Sequence, residues 1–344
     1  MRSFGSDNNS GVHPEVMEAL ALANAGHAAG YGDDLWTQRF EQKIRETFGG
    51  QAEGLIVFNG TGANSVALQL LTRPYNSILC AETAHIWVDE CGAPCRMTGC
   101  QITAIPTSAG KLTPEMIRPY LWGKGDPHHS QPGAIYISNL TEVGTLYTPE
   151  EIRALADFAH SEGMMLCLDG ARLANAAVAL DVPLCALTTD CGVDVLSFGG
   201  TKNGLMLGEA VVVLNPRLRR EARFIRKQSA QLASKMRYLS CQLDAYLTNE
   251  LWRRNAAHAN RMARILHDEL SAIAGIEFLY PVEGNMLFLR MPQAWGQALR
   301  RDYFFYFMNE AAGELRLVTS FDTNEEDIRG LVVALHTIAF NQRQ

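Results

Sequence analysis

Between residues 55 and 198 the chain alternates short apolar runs with helix-forming stretches, and few folds accept such a text. The runs 55–58, 77–80, 102–105, 134–137, 164–168 and 193–198 are too short for buried helices and read as strands. Helical patterns over 63–71, 113–121 and 150–162 fall between them. This repetition predicts βαβ units, hence an α/β fold with a mostly parallel central sheet covered by helices on both faces. In such sheets ligands gather at the carboxyl ends of the strands, in the loops that follow.

The flanks are organised differently. Residues 1–13 are polar and irregular and read as an N-terminal arm. Pro14 opens a helix with Val16, Met17, Leu20 and Leu22. A second helix carries Trp36, Phe40, Ile44 and Phe48 along one stripe, and Gly49-Gly50 stops it. Past the apolar residues 210–214, the basic stretch 217–237 reads as a solvated helix face, and helical text runs on to about residue 272. Strands at 276–278, 286–289 and 315–319, with helices at 295–310 and 325–340, make a smaller α+β unit. The expected division is an arm at 1–13, a large domain at 14–245 and a small C-terminal domain at 246–344.

Charge and cysteine usage narrow the function classes. A net charge of −7 argues against a general nucleic-acid or anionic-membrane surface, while leaving room for a local basic pocket. No apolar run approaches the roughly 20 residues of a membrane span, and the first residues lack the apolar core of a signal peptide. The eight cysteines form no CxxC pair and have no histidine placed to complete a zinc pattern, so no metal is expected. Reduced thiols imply a cytoplasmic location.

Candidate site residues cluster in or near the loops after strands. In Gly199-Gly200-Thr201-Lys202-Asn203-Gly204 a lone lysine stands at the edge of a buried strand. Desolvation there favours its neutral, nucleophilic form, as a Schiff base with an aldehyde cofactor requires. Asp169 ends the apolar strand 164–168 and needs a buried partner; a protonated pyridine nitrogen is one, and a helix N-cap role is the alternative. The two are 33 residues apart, the length of one strand–helix–strand crossover, so both fit the same end of neighbouring strands. Gly60-Thr61-Gly62 joins a strand to a helix, where free N–H groups hold phosphates. Arg172 is placed to reach a cofactor or a substrate carboxylate, and His85 to stack on a ring and move protons.

Taken together, these segments resemble the low-specificity L-threonine aldolases of the β-eliminating-lyase group, within the fold-type-I pyridoxal-phosphate enzymes. The resemblance is carried by Ser6-Asp7, Tyr31-Gly32-Asp33-Asp34, Gly60-Thr61-Gly62-Ala63-Asn64, Ala84-His85 with Glu90, and Leu168-Asp169-Gly170-Ala171-Arg172. The lysine loop 199–204 and Arg316-Leu317-Val318-Thr319 complete it, in order, from residue 3 to about residue 323. It implies a pyridoxal 5'-phosphate enzyme that cleaves threonine, allo-threonine or phenylserine-like β-hydroxy-α-amino acids to glycine and an aldehyde. Lys202 would bind the cofactor covalently, Asp169 would hold its ring nitrogen, Gly60 and Thr61 its phosphate, and His85 would stack on its ring. Ser6, Arg172 and Arg316 would hold the substrate carboxylate. The family's sites are shared in homo-oligomers, here expected to be dimers of dimers. Arg237 would serve the neighbour's phosphate and Tyr31 would approach the neighbour's substrate. Where many relatives carry Asn-Thr-His-Asn, this chain has Leu140-Thr141-Glu142-Val143-Gly144, so the base that takes the hydroxyl proton is His85 or Glu142. Another β-eliminating lyase or an amino-acid racemase on the same scaffold is the competing reading.

Overall fold

The first strand of the computed structural model, β1 (Arg2–Ser3), pairs in parallel with Tyr303–Phe304, three hundred residues away. The structure describes residues 2–341, so residue 1 of the expected arm and residues 342–344 of the expected small domain lie outside it. Strands β2 (Glu53–Val57), β3 (Asn76–Ala81), β4 (Gln101–Ile105), β5 (Gln131–Ser138), β6 (Met165–Gly170), β7 (Val195–Phe198) and β8 (Glu209–Val213) form the central sheet. Their order is β2-β8-β7-β6-β5-β3-β4, with β8 antiparallel to both neighbours and the other pairings parallel.

Alternation along each strand feeds two cores. Ile135, Ile137, Leu166 and Leu168 face one side, against helices Leu35–Phe48, Pro149–Ser161 and Arg237–Leu247. Ala134, Tyr136 and Cys167 face the other, where helix Gly60–Leu71 covers them. Burial on both faces explains why these strands read as continuous apolar runs.

The C-terminal sheet, from β9 (Glu277–Phe278), β10 (Met286–Arg290), β12 (Tyr306–Asn309) and β13 (Glu314–Val318), has the order β12-β13-β10-β9 and is antiparallel. Between β10 and β12 lies β11 (Tyr303–Phe304), the partner of β1. Leu287, Leu289, Leu315 and Leu317 pack against Leu266 and Leu270 of helix Leu251–Ser271 and Leu331 and Leu335 of helix Glu325–Asn341. Phe4 is fully buried in this same core, so the polar-looking N-terminal segment is docked on the C-terminal unit.

Three local expectations change. The helix expected over 295–310 stops at Leu299, and Tyr303–Phe304 and Tyr306–Asn309 form β11 and β12 on either side of Phe305. Tyr303-Phe304-Phe305-Tyr306-Phe307 favours extended chain, and it buries Phe305 between the two strands while leaving Tyr306 exposed. The helix expected over 113–121 is α-helical only for Pro114–Ile117 and continues as a 3-10 turn, Arg118–Leu121, because Pro119 lacks the N–H an α-helix needs. Gly60-Thr61-Gly62 is the first turn of helix Gly60–Leu71, not a turn ahead of it, because the Asn59 side chain accepts from Gly62 N at 2.8 Å and caps it.

Among the described residues no single helix is long and apolar enough to cross a membrane.

Candidate active site

Asp169 is the penultimate residue of β6 and lies opposite Ser197 of β7, so the end of β6 and the loop after β7 share one edge of the sheet. Lys202 sits in that loop, on the one-turn helix Thr201–Asn203. A cavity of about 350 Å³ opens between them, and Gly60, Thr61, His85, Glu142, Asp169, Arg172 and Lys202 all line it.

Asp169 is held from three sides. Its Oδ1 accepts from Ala171 N at 2.9 Å, and its Oδ2 from Asn64 Nδ2 at 3.0 Å and from the Tyr136 hydroxyl at 2.5 Å. It caps no helix: Arg172 occupies the N-cap position of helix Leu173–Leu180. Burial pushes the Tyr136 hydroxyl far above the ordinary tyrosine range, and the Asp169 charge adds to that, so this oxygen donates and does not ionise.

Asn64 extends the network by donating also to Glu90 Oε1 at 2.8 Å. The same oxygen meets His85 Nδ1 at 2.8 Å. That hydrogen bond raises the proton affinity of His85; burial opposes it and the Asp169 charge reinforces it. Glu142 supports the other end of the histidine, since its Oε1 accepts from His85 N at 2.9 Å and from Ser138 Oγ at 2.6 Å. Burial raises the Glu142 carboxyl above the usual range, and those hydrogen bonds only partly offset it.

Lys202 is half-buried at the cavity wall. Burial lowers its proton affinity, the Arg172 charge lowers it further, and Asp7, Asp169 and Glu209 act in the opposite sense. The result favours a neutral, nucleophilic amine.

Of the three residues expected to hold the substrate carboxylate, Arg172 lines the cavity, whereas Arg316 and Ser6 do not. Arg172 is bound by Asp7, whose carboxylate also accepts from Asn285 Nδ2 at 3.2 Å. Arg316 donates from Nη2 to Gly5 O at 3.0 Å, and its Nε is buried with no partner among the described residues. Burial and the neighbouring Arg172 charge both lower its proton affinity. Ser6 caps the short turn Asp7–Asn9 by accepting from Asn8 N at 3.1 Å.

Arg237 and Tyr31 stand elsewhere. Arg237 donates to Gly26 O at 3.1 Å and lines a separate cavity of about 200 Å³ with His27, Gly30 and Lys235. Tyr31 is exposed, with the Lys227 ammonium 5.5 Å from its ring centre. Neither lines the cavity of its own chain that holds Lys202.

Sequence reasoning gave no role to Tyr136, Asn64, Glu90, Asp7 or Glu209. Tyr136 and Glu209 lie in buried strands, where a polar residue stands out only once its cross-strand neighbours are known. Asp7, Asn64 and Glu90 were within reach, as polar residues inside the motifs that carry the resemblance.

The cavity suits pyridoxal phosphate. Its volume falls in the roughly 300–1,000 Å³ range of small-molecule sites. A Cβ built on Gly60 would meet nothing within 4 Å, so the helix mouth is open to a bulky anion. Asn59 satisfies the N–H groups of Gly62 and Ala63, which leaves those of Gly60 and Thr61 at that mouth.

Comparison with known proteins points the same way. The sequence family described as beta-eliminating lyase matches residues 3–292. The low specificity L-threonine aldolase of Pseudomonas sp. (strain NCIMB 10558) is 40% identical over 338 residues, covering 98% of each chain. The low specificity L-threonine aldolase of Pseudomonas aeruginosa is 42% identical over 333 residues, covering 96% of each. Among solved structures, the threonine aldolase of Leishmania major superposes with a TM-score of 0.93 at 32% identity, over 98% of this chain and 100% of that one.

Proposed function

The chain belongs to the β-eliminating lyase family, and from that premise we propose that it is a pyridoxal-phosphate-dependent threonine aldolase. It cleaves the Cα–Cβ bond of L-threonine, L-allo-threonine or a related β-hydroxy-α-amino acid to give glycine and an aldehyde. The architecture is that of the fold-type-I pyridoxal-phosphate enzymes. One observation carries the reading: a desolvated lysine faces a triply hydrogen-bonded carboxylate across one cavity, in a chain matched nearly end to end by threonine aldolases.

Lys202 would hold the cofactor covalently, Asp169 its ring nitrogen, and the Gly60 and Thr61 N–H groups its phosphate. When bound, pyridoxal phosphate supplies the electron sink that takes up the pair released as Cα–Cβ breaks. Arg172, Arg316 and Ser6 would hold the substrate carboxylate and so fix the direction of that bond, and fixed orientation removes several kcal/mol from a barrier. His85 is the residue to which we assign the β-hydroxyl proton. Its Nδ1 is taken by Glu90, which leaves Nε2 to accept, and Glu90 stabilises the imidazolium that results. Glu142, already accepting from His85 N and Ser138, positions the histidine.

A homotetramer, built as a dimer of dimers, accounts for the two residues that stand apart. Arg237 lies outside its own chain's cavity beside the loop 26–30, and in an assembly it would reach a neighbour's phosphate while Tyr31 reaches a neighbour's substrate. A cytoplasmic location is supported by the cysteines, all eight of which are free thiols.

Product analysis with L-threonine tests the reaction. Aldol cleavage gives glycine and acetaldehyde in equal amounts. Formation of 2-oxobutanoate and ammonia, or of D-allo-threonine by inversion at Cα, would replace it with the eliminating or racemising alternative.

A further inference from the structure

Glu209 is a buried carboxylate in the cavity wall to which the mechanism above assigns no part. It opens β8, beside Val57 of β2, so it stands between the Gly60 helix mouth and the loop that carries Lys202. That loop has a capping problem. Gly200 occupies the N-cap position of the Thr201–Asn203 turn and offers no side chain to its orphan N–H groups. A Cβ at Gly200 would stand 2.3 Å from a methyl of Leu205, so any larger residue there must displace that side chain. The cap comes from across the loop instead. Glu209 Oε2 accepts from Gly200 N at 2.6 Å, and the Thr201 side chain bonds the same carboxylate.

The charged groups facing Glu209 are Lys202, from the loop, and Asp169, from β6. Tyr246 of helix Arg237–Leu247 is the further titratable group that feels Glu209, whose charge helps to keep the Tyr246 hydroxyl protonated; Val57 in β2, Gly60 and Thr61 at the helix mouth, and Leu239, which packs on Gly208, carry no charge. Burial pushes the Glu209 carboxyl up to about 7, against the pull of Thr201, Gly200 N and Lys202. Its ionisation therefore changes around neutral pH. Lys202 registers the interaction from the other side, since the Glu209 charge raises its proton affinity.

We propose that Glu209 is a positioning residue for Lys202, capping the turn that carries the lysine and setting a carboxylate in the same cavity wall as the lysine nitrogen. The role rests on the reading of Lys202 as the cofactor lysine. Glu209→Gln separates its two parts, because the amide still accepts from Gly200 N but carries no charge, whereas Glu209→Ala removes both.

The experiment is a pH titration of the holoenzyme's cofactor absorbance band, with the cofactor dissociation constant measured alongside. In Glu209→Gln the band should titrate about one pH unit lower than in wild type, with cofactor affinity retained. In Glu209→Ala affinity should also fall, by about tenfold, on the scale of a lost helix cap. Thr201→Val removes a hydrogen bond that favours the ionised carboxylate, so it should shift the band in the same direction by less. It carries the test if Glu209→Gln does not fold. Loss of the band in Lys202→Ala, with unshifted titrations in Glu209→Gln and Thr201→Val, would overturn this role alone. A band that survives Lys202→Ala would overturn the reading of Lys202 beneath it.

Discussion

Asp7 grips Arg172 with both carboxylate oxygens, Nε donating to Oδ2 at 2.8 Å and Nη2 to Oδ1 at 3.0 Å. The pair joins the docked N-terminal segment to the end of β6, and both side chains are largely shielded from water. With one edge of its guanidinium occupied, Arg172 is fixed in direction before any substrate arrives. Burial alone would raise the Asp7 carboxyl, but the Arg172 and Lys202 charges and two hydrogen bonds outweigh it and hold it below its ordinary 3.8.

Asp7→Asn should therefore weaken substrate binding more than turnover, raising KM for threonine while kcat changes less. Breaking a buried charge pair costs about 3–5 kcal/mol, and because asparagine keeps one acceptor the loss should lie at the lower end. Thermal unfolding against pH gives a second readout. The stability from Asp7 is complete above 3.8 and is lost as pH falls through its lower folded value, so the variant's profile should be flatter there. An unchanged KM would remove Arg172 from carboxylate binding or Asp7 from its support.

Tyr136→Phe keeps the ring in the core and deletes only the donor to Asp169 Oδ2. A hydrogen bond to a charged group contributes about 1.5–3 kcal/mol, so turnover should fall roughly tenfold to a hundredfold. Cofactor affinity, measured by equilibrium dialysis, should weaken with it if Asp169 holds the ring nitrogen as proposed, since the carboxylate is then less firmly held. Wild-type kinetics in this variant would show that the orientation of Asp169 is set by Asn64 and Ala171 alone.

The Glu90–His85 contact makes a pH prediction with a definite sign. Glu90 raises the proton affinity of His85, and a base must be unprotonated to act, so with His85 as the proposed base the acidic limb of kcat/KM should report this residue. Glu90→Gln should move that limb to lower pH and lower the plateau, because a weaker base takes the proton less readily. His85→Asn should cost about 10²–10⁴ in kcat/KM at neutral pH. If instead Glu142→Gln abolishes the limb and His85→Asn leaves it, the base is Glu142.

Much of this was legible before any coordinates, and the reasons are local. The alternation over 55–198 declared a parallel sheet because strands covered on both faces must be apolar throughout. Asp169 and Lys202 could be paired from their spacing because β6 and β7 are adjacent and parallel, so one crossover returns the chain to the same edge. Tyr136 and Glu209 were not legible: in a strand buried on both sides, one polar residue looks like a tolerated exception until its neighbour across the sheet is known. The strands β11 and β12 were missed for a related reason. A five-residue aromatic run fits one face of a helix as well as it fits a pleat, and only the pairing of β11 with β1 and of β12 with β13 decides between them.

Borohydride reduction of the holoenzyme, followed by peptide mass analysis, tests the assignment of Lys202 most directly. Reduction should fix a phosphopyridoxyl group on the peptide that contains Lys202, and Lys202→Ala should carry none. The same group on a peptide from any other lysine, or its retention in Lys202→Ala, would contradict the assignment.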